Sequence, residues 1–312
     1  MILRAFDWRD IPVLHRYRHQ GLCLDSALGV TRGHTLIPRI LLSYLSPGVG
    51  ISTWVCADQC DPQPLLGQII QRQGSAIARI SFLAPEQALE SPSVTSLLDQ
   101  LAQQAGQSGA YHLLAEIDED SPAFESLRRT GFAVYARQRL WRFSGMAPDK
   151  EVTHAWRALS SQNAFAVQAL YHNLVPGLVG QIESLANEPL EGLVYQNGEM
   201  LAYAELKYGP RGIWTQPFIH PDAEDVETHL NNFLHSVPDR RSRDIYLCVR
   251  SYQSWLEPGL EALGAEAGPR QAVLVKRMAV PQKVTRPFAL PKIEGQPEIS
   301  APIAHARRQQ NQ

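Results

Sequence analysis

The 312-residue sequence has no long apolar run. None approaches the roughly 20 consecutive apolar residues that a bilayer span needs, so no membrane-spanning helix and no membrane partner are expected. The opening, MILRAFDWRD, puts Arg4, Asp7, Arg9 and Asp10 where a secretory leader needs an apolar stretch, and no leader is expected. Cysteine is scarce. Cys23, Cys56, Cys60 and Cys248 are too few and too scattered for a disulfide framework, which points to a reducing, cytoplasmic setting. Cys56 and Cys60 in CADQC lack a second ligand pair, and His15, His19 and His34 are scattered, so no metal is expected. An excess of charge is missing as well: 29 Lys and Arg face 31 Asp and Glu, for a net charge of −2. No strong field draws this chain to nucleic acid. What is present is an ordinary globular composition, 44% hydrophobic and 19% charged, in a chain long enough for two domains with separate cores.

The same text runs through the chain twice. FLAPE at 82–86 is echoed by FIHPD at 218–222, and LLAEIDEDSPAFESLRRTGF at 113–132 by IYLCVRSYQSWLEPGLEALGA at 245–265. Arg137-Gln138 returns as Arg270-Gln271. Pro85 and Pro221 lie 136 residues apart; Gly131 and Gly264, like Arg137 and Arg270, lie 133 apart. One register with three residues lost explains all of these, and the pattern reads as a tandem duplication. Residues 1–145 form the first repeat and 151–280 the second, with SGMAPDK at 144–150 as the linker. Residues 281–312 carry five prolines and no periodicity, and read as a disordered tail.

Within the first repeat, ILRAF is a short strand and IPVLHRYRHQ a helix. A polar loop with Gly29 and Gly33 leads to a second helix, LIPRILLSYL. GISTWVCAD, PLLGQIIQRQ and AIARISFLA are strands, the last two joined by a Gly74-Ser75 turn. Helix VTSLLDQLAQQAG, strand YHLLAEI, helix PAFESLRRT and strand FAVYARQRLWRF complete the repeat. The second repeat follows the same order. THAWRAL is its first strand, SSQNAFAVQALYHNL and PGLVGQIESLA its helices, and EGLVYQ and EMLAYAELKY a hairpin closed by Asn197-Gly198. Trp54, Trp141, Trp156 and Trp214 lie in strand patterns and read as core.

The stretch from Ala76 to Phe143 resembles the acyl-coenzyme-A-binding half of the GCN5-related N-acetyltransferases, the GNAT superfamily. The resemblance extends over residues 1–280 and implies an α/β fold with a mixed, mostly antiparallel sheet, arranged as two tandem GNAT-like domains. It implies acetyl-CoA as cosubstrate, no metal, and a small-molecule or peptide amine as acceptor. In that family two adjacent strands splay apart, and the pantetheine arm enters the notch and bonds the freed backbone. A glycine-containing loop at a helix N-terminus then takes the pyrophosphate. By this resemblance Phe82, Leu83, Ser93, Val94, Thr95 and Asp120 are the cofactor-binding residues, and the first repeat is the one that binds.

The motifs depart from the family pattern. The first loop, EQALESPSVTS, has no glycine or arginine and carries Glu86 and Glu90. The second, PDAEDVETH, crowds Asp222, Glu224, Asp225 and Glu227 where a pyrophosphate belongs, although these acids also suit helix capping. The family's general-acid tyrosine aligns with Leu127 and Leu260. Its frequent asparagine aligns with Asp120 and, in the second repeat, with Tyr252 or Gln253. Two carboxylates remain as candidate catalytic bases. Glu116 lies in a central strand, where burial suits base chemistry, or at the strand's wet end. Glu205 shares a face with Tyr203, as a base acting through water or as part of a solvated face. Two functions therefore stand: an acetyl-CoA-dependent N-acetyltransferase, or a catalytically degenerate binding or scaffolding module. No motif addresses oligomeric state.

Overall fold

A computed structural model describes residues 2–33, 50–57, 63–145, 156–185, 190–223 and 225–278. The expected helix LIPRILLSYL, most of the linker, Cys60, His34, Glu224 and the tail at 281–312 lie outside these residues.

The first repeat supplies strands β1 (Ile2–Ala5), β2 (Leu22–Cys23), β3 (Ile51–Ala57), β4 (Leu65–Gln71), β5 (Ile77–Ala84), β6 (His112–Asp118) and β7 (Ala133–Phe143). Its helices are α1 (Ile11–Arg16), α2 (Ser26–Arg32), α3 (Ser93–Gln107) and α4 (Ala123–Arg129). The second supplies β8 (Arg157–Ala158), β9 (Gly192–Asn197), β10 (Glu199–Tyr208), β11 (Gly212–Ile219), β12 (Asp244–Arg250) and β13 (Glu266–Arg277). Its helices are α5 (Ala164–Leu174), α6 (Gly177–Ile182), α7 (Val226–Ser236) and α8 (Glu257–Ala262).

Two expectations need correction. The segment read as a polar loop after α1 contains both β2 and α2, because Asp25 caps α2 by accepting from the Leu28 N–H at 2.9 Å and GLCLD alternates into the core. THAWRAL supplies only a two-residue edge strand, Arg157–Ala158, paired with β9. Pro85 and Pro221 both follow the strand that pairs in parallel with the next, and Gly131 and Gly264 both end the last helix, at φ of +87° and +80°. The repeated residues therefore hold matching topological positions.

All the described strands join one sheet, ordered β1-β3-β4-β5-β6-β13-β7-β12-β11-β10-β9-β8, with β2 paired to β5 off this path. The repeats are interleaved. β13 of the second lies between β6 and β7 of the first, and β7 of the first lies between β13 and β12 of the second. Gln138 and Gln271, equivalent by the repeat, face each other across the β7–β13 pair, so a local two-fold axis passes between them. The cores follow the exchange. Ala272 and Leu274 of β13 pack with Leu97, Leu101 and Leu127 of the first repeat, and Trp141 and Phe143 of β7 pack with Leu230, Phe233 and Leu260 of the second. Of the tryptophans read as core, Trp141, Trp156 and Trp214 are buried, and Trp54 is half-buried against the first core.

Candidate functional site: two notches and a buried polar seam

Strands β5 and β6 pair in parallel only at Ile77–His112, Ala78–Leu113 and Arg79–Leu114. Beyond Arg79 they diverge, and residues 22–26 run into the gap as a strap. Leu22 and Cys23 pair with Leu83 and Phe82. The Leu24 N–H donates to the Ser81 carbonyl at 3.1 Å, and the Leu24 carbonyl accepts the Glu116 N–H at 2.8 Å. Leu24 thus bonds both edges of the notch, and its side chain, 1% exposed, lies in the first core. Burying a leucine fully contributes about 2–3 kcal/mol, so the strap is anchored by packing as well as by its backbone.

The strap ends on Glu116. Its carboxylate, on a residue 7% exposed, accepts from the Ser26 N–H at 3.0 Å, from the Ser26 hydroxyl, from Gln138 Nε2 at 3.1 Å and from Arg79 Nη1 at 3.3 Å. Glu116 is buried, as one of the two sequence readings has it, but both its oxygens are engaged. It acts as an acceptor hub that holds the strap. Glu205, the other candidate base, is half-buried on β10 and paired with Lys207 at 2.9 Å. Strands β13, β7, β12 and β11 separate it from Glu116, so the two carboxylates do not share a site.

The residues expected to hold a cofactor are placed as follows. Phe82 and Leu83 are 0% and 1% exposed, and their backbone faces the strap. Val94 is in the first core and Ser93 is buried, while Thr95 and Asp120 are exposed on the first turn of α3 and on the turn after β6. Leu127 and Leu260, at the general-acid positions, are fully buried core residues with no proton to give.

The second notch lies between β11 and β12, which pair in parallel from Gly212–Asp244 to Thr215–Leu247 and then part. Here a side chain occupies the freed edge. Gln253, buried at a break in a short 3-10 helix, sets its amide against this edge; oriented with its nitrogen toward Pro217, the assignment that satisfies both groups, it donates to the Pro217 carbonyl at 2.9 Å and accepts from the Ile219 N–H at 3.3 Å. The turn corresponding to the strap, Val175–Pro176, bonds into its own helices, Val175 N–H to the Tyr171 carbonyl and the Pro176 carbonyl to Val179 and Gly180. At the start of α7, Asp225 sits at φ +53° and caps the helix, accepting from the Thr228 N–H at 3.3 Å and from its hydroxyl at 2.6 Å. Glu227 follows in the first turn. That start therefore has an internal carboxylate on its amides.

Between the notches runs a polar seam. Gln138 Nε2 donates to Gln271 Oε1 at 3.0 Å, Gln271 Nε2 donates to Asp118 Oδ1 at 3.0 Å, and the Cys248 thiol donates to Gln138 Oε1 at 3.2 Å. Burial pushes the Cys248 thiol up to about 12, so it is no nucleophile. Beside it Arg250, 3% exposed, bonds both oxygens of Glu183 at 2.9 and 2.8 Å, and Tyr135 also donates to Glu183. Burial opposes the charge on Glu183, yet Arg250 and Arg79 hold its carboxyl below the ordinary range. The sequence reading missed this triad. Its one signal was a charge closing the otherwise apolar strand YLCV.

A cleft of about 340 Å³ opens beside the strap, lined by Cys23, Ser26, Glu86, Glu116 and Asp118 of the first repeat and Gln271 of the second. Among the described residues, no cluster of metal-ligating side chains occurs and no helix is long and apolar enough to cross a membrane.

No family model and no curated protein matches the chain. Solved structures do. A GCN5-related N-acetyltransferase from Sphaerobacter thermophilus aligns with a TM-score of 0.54 at 13% identity, covering 89% of this chain and 96% of that one. A tandem GNAT protein from the clavulanic acid biosynthesis pathway aligns with a TM-score of 0.50 at 12% identity, covering 88% and 98%. At such identities the likeness shows the fold: a tandem GNAT-like α/β architecture.

Proposed function

We propose that this tandem GNAT-like chain is a binding module whose acyl-donor notches are closed from within, and not a working acetyltransferase. The observation that carries this reading is Leu24, whose backbone takes the Ser81 carbonyl and the Glu116 N–H that a pantetheine arm would need. Three features support it: Gln253 on the freed edge of β11, the Asp225 cap on α7, and leucines at both general-acid positions. The ligand-accepting part is the cleft beside the strap. Its carboxylates Glu86 and Asp118 suit a small molecule or peptide bearing an amine, the acceptor class that the fold implies. Because β13 contributes Gln271 to that cleft, the repeats at 1–145 and 151–280 work as one body.

The test is an acetyl-transfer assay by mass spectrometry, with acetyl-CoA and a panel containing spermidine, free lysine and a lysine peptide. Product formation is expected to stay at the uncatalysed rate. Acetylated product that grows with protein concentration overturns the reading and restores the enzyme.

A further inference from the structure

The strap does not end at the notch. It continues directly into α2, and α2 finishes against the other repeat. The Thr31 carbonyl, in the last turn of α2, accepts the Arg211 N–H at 3.0 Å from the turn joining β10 to β11. The approach there is close. A Cβ on Gly209 would stand 2.3 Å from the Thr31 carbonyl oxygen and 2.6 Å from its Cβ, and a Cβ on Gly212 would stand 2.9 Å from the Val30 carbonyl oxygen. Only glycine permits this contact. The turn is itself braced. Its Gly209 N–H bonds the Gly212 carbonyl at 3.1 Å, and Arg243 Nη1 donates to the Gly209 carbonyl at 2.8 Å.

We propose that the Gly209–Gly212 turn of the second repeat is a clamp that sets whether the strap occupies the first notch. The inference rests on the closed-notch reading and adds a means of control. A seven-residue helix is about 10 Å long and stiff, so a push at Thr31 reaches Ser26 at its other end. Ser26 holds the strap to Glu116 through both its N–H and its hydroxyl. Displacement of α2 therefore breaks the Ser26–Glu116 contacts first and frees Leu24 next. The second repeat thereby governs access to the first through a contact 180 residues away in sequence, Thr31 to Arg211.

The experiment is amide hydrogen exchange on the full-length chain, comparing wild type with Gly209→Ala. The Leu24 and Glu116 amides are expected to exchange at least about tenfold faster in the variant, while Leu113 and Ala272, inside the central strands, keep their wild-type rates. Should Gly209→Ala fail to fold, Gly212→Ala pushes on Val30 as well as on the Tyr246 ring, and the added double variant Gly212→Ala, Tyr246→Ala removes the ring and leaves only the push on Val30. Unchanged exchange at Leu24, or uniform acceleration across the sheet, overturns the clamp. A parallel sample of wild type with acetyl-CoA separates the two claims. Acceleration of Leu24 by that ligand sinks the closed-notch reading, and failure of the glycine variants alone sinks only the clamp.

Discussion

Arg250→Met is expected to lower stability by about 3–5 kcal/mol, the usual cost of removing one partner from a buried ion pair. In a body of this size that corresponds to a fall of about 6–10 °C in Tm, read by differential scanning calorimetry. The variant leaves Glu183 buried with its charge, with Tyr135 still donating to it and Arg79 as a remaining nearby cation. Adding Glu183→Gln removes the stranded charge, so the double variant should recover part of the loss. Recovery distinguishes an ion-pair effect from damaged packing, which the second substitution would only worsen. The pH dependence follows from the direction of the Glu183 shift. Its folded carboxyl is held below the ordinary value of 4.5, so its contribution is fully present above that value and is lost as pH falls through the lowered folded value. The stability gap between wild type and Glu183→Gln should be constant near neutrality and shrink only below about pH 4.5.

Residues 1–145 expressed alone are expected not to fold to a stable monomer. In the full chain β6 and β7 do not touch; β13 lies between them and supplies ladder partners to both, from Gln271–Asp118 to Arg277–His112 on one side and from Glu266–Arg142 to Val275–Ala133 on the other. Removing the second repeat leaves two facing strand edges with unpaired backbone groups and strips Ala272 and Leu274 from the first core. Circular dichroism and size-exclusion chromatography decide the matter. A monomer with a sharp thermal transition would mean that each repeat is an independent domain, and that the interleaving adds little.

Much of the element order was legible because it rests on local signals. The Gly74-Ser75 and Gly198 turns, the helix-ending Gly131 and Gly264, and the alternation of ISFLA and LLAEI each act within a few residues of themselves. The exchange of β7 and β13 was not legible. Either strand satisfies the same alternation beside its own repeat or the other, and only the three-dimensional ladder distinguishes them. The segment that lies beside Phe82 and Leu83 was hidden in GLCLD, which is too short for a periodic pattern and reads as loop. Asp25, a helix cap just ahead of Ser26, was the available clue. Glu116 was singled out for being a carboxylate in a central strand. That unusual placement is real, and its cause is four donors from three segments distant in sequence, which no local reading brings together.

The closure of both notches is tested most directly by calorimetric titration of the full-length protein with acetyl-CoA. The account predicts no saturable heat up to millimolar ligand, because Leu24 in the first notch and Gln253 in the second already hold the backbone groups a pantetheine arm would use. A saturable isotherm with a micromolar Kd would contradict it.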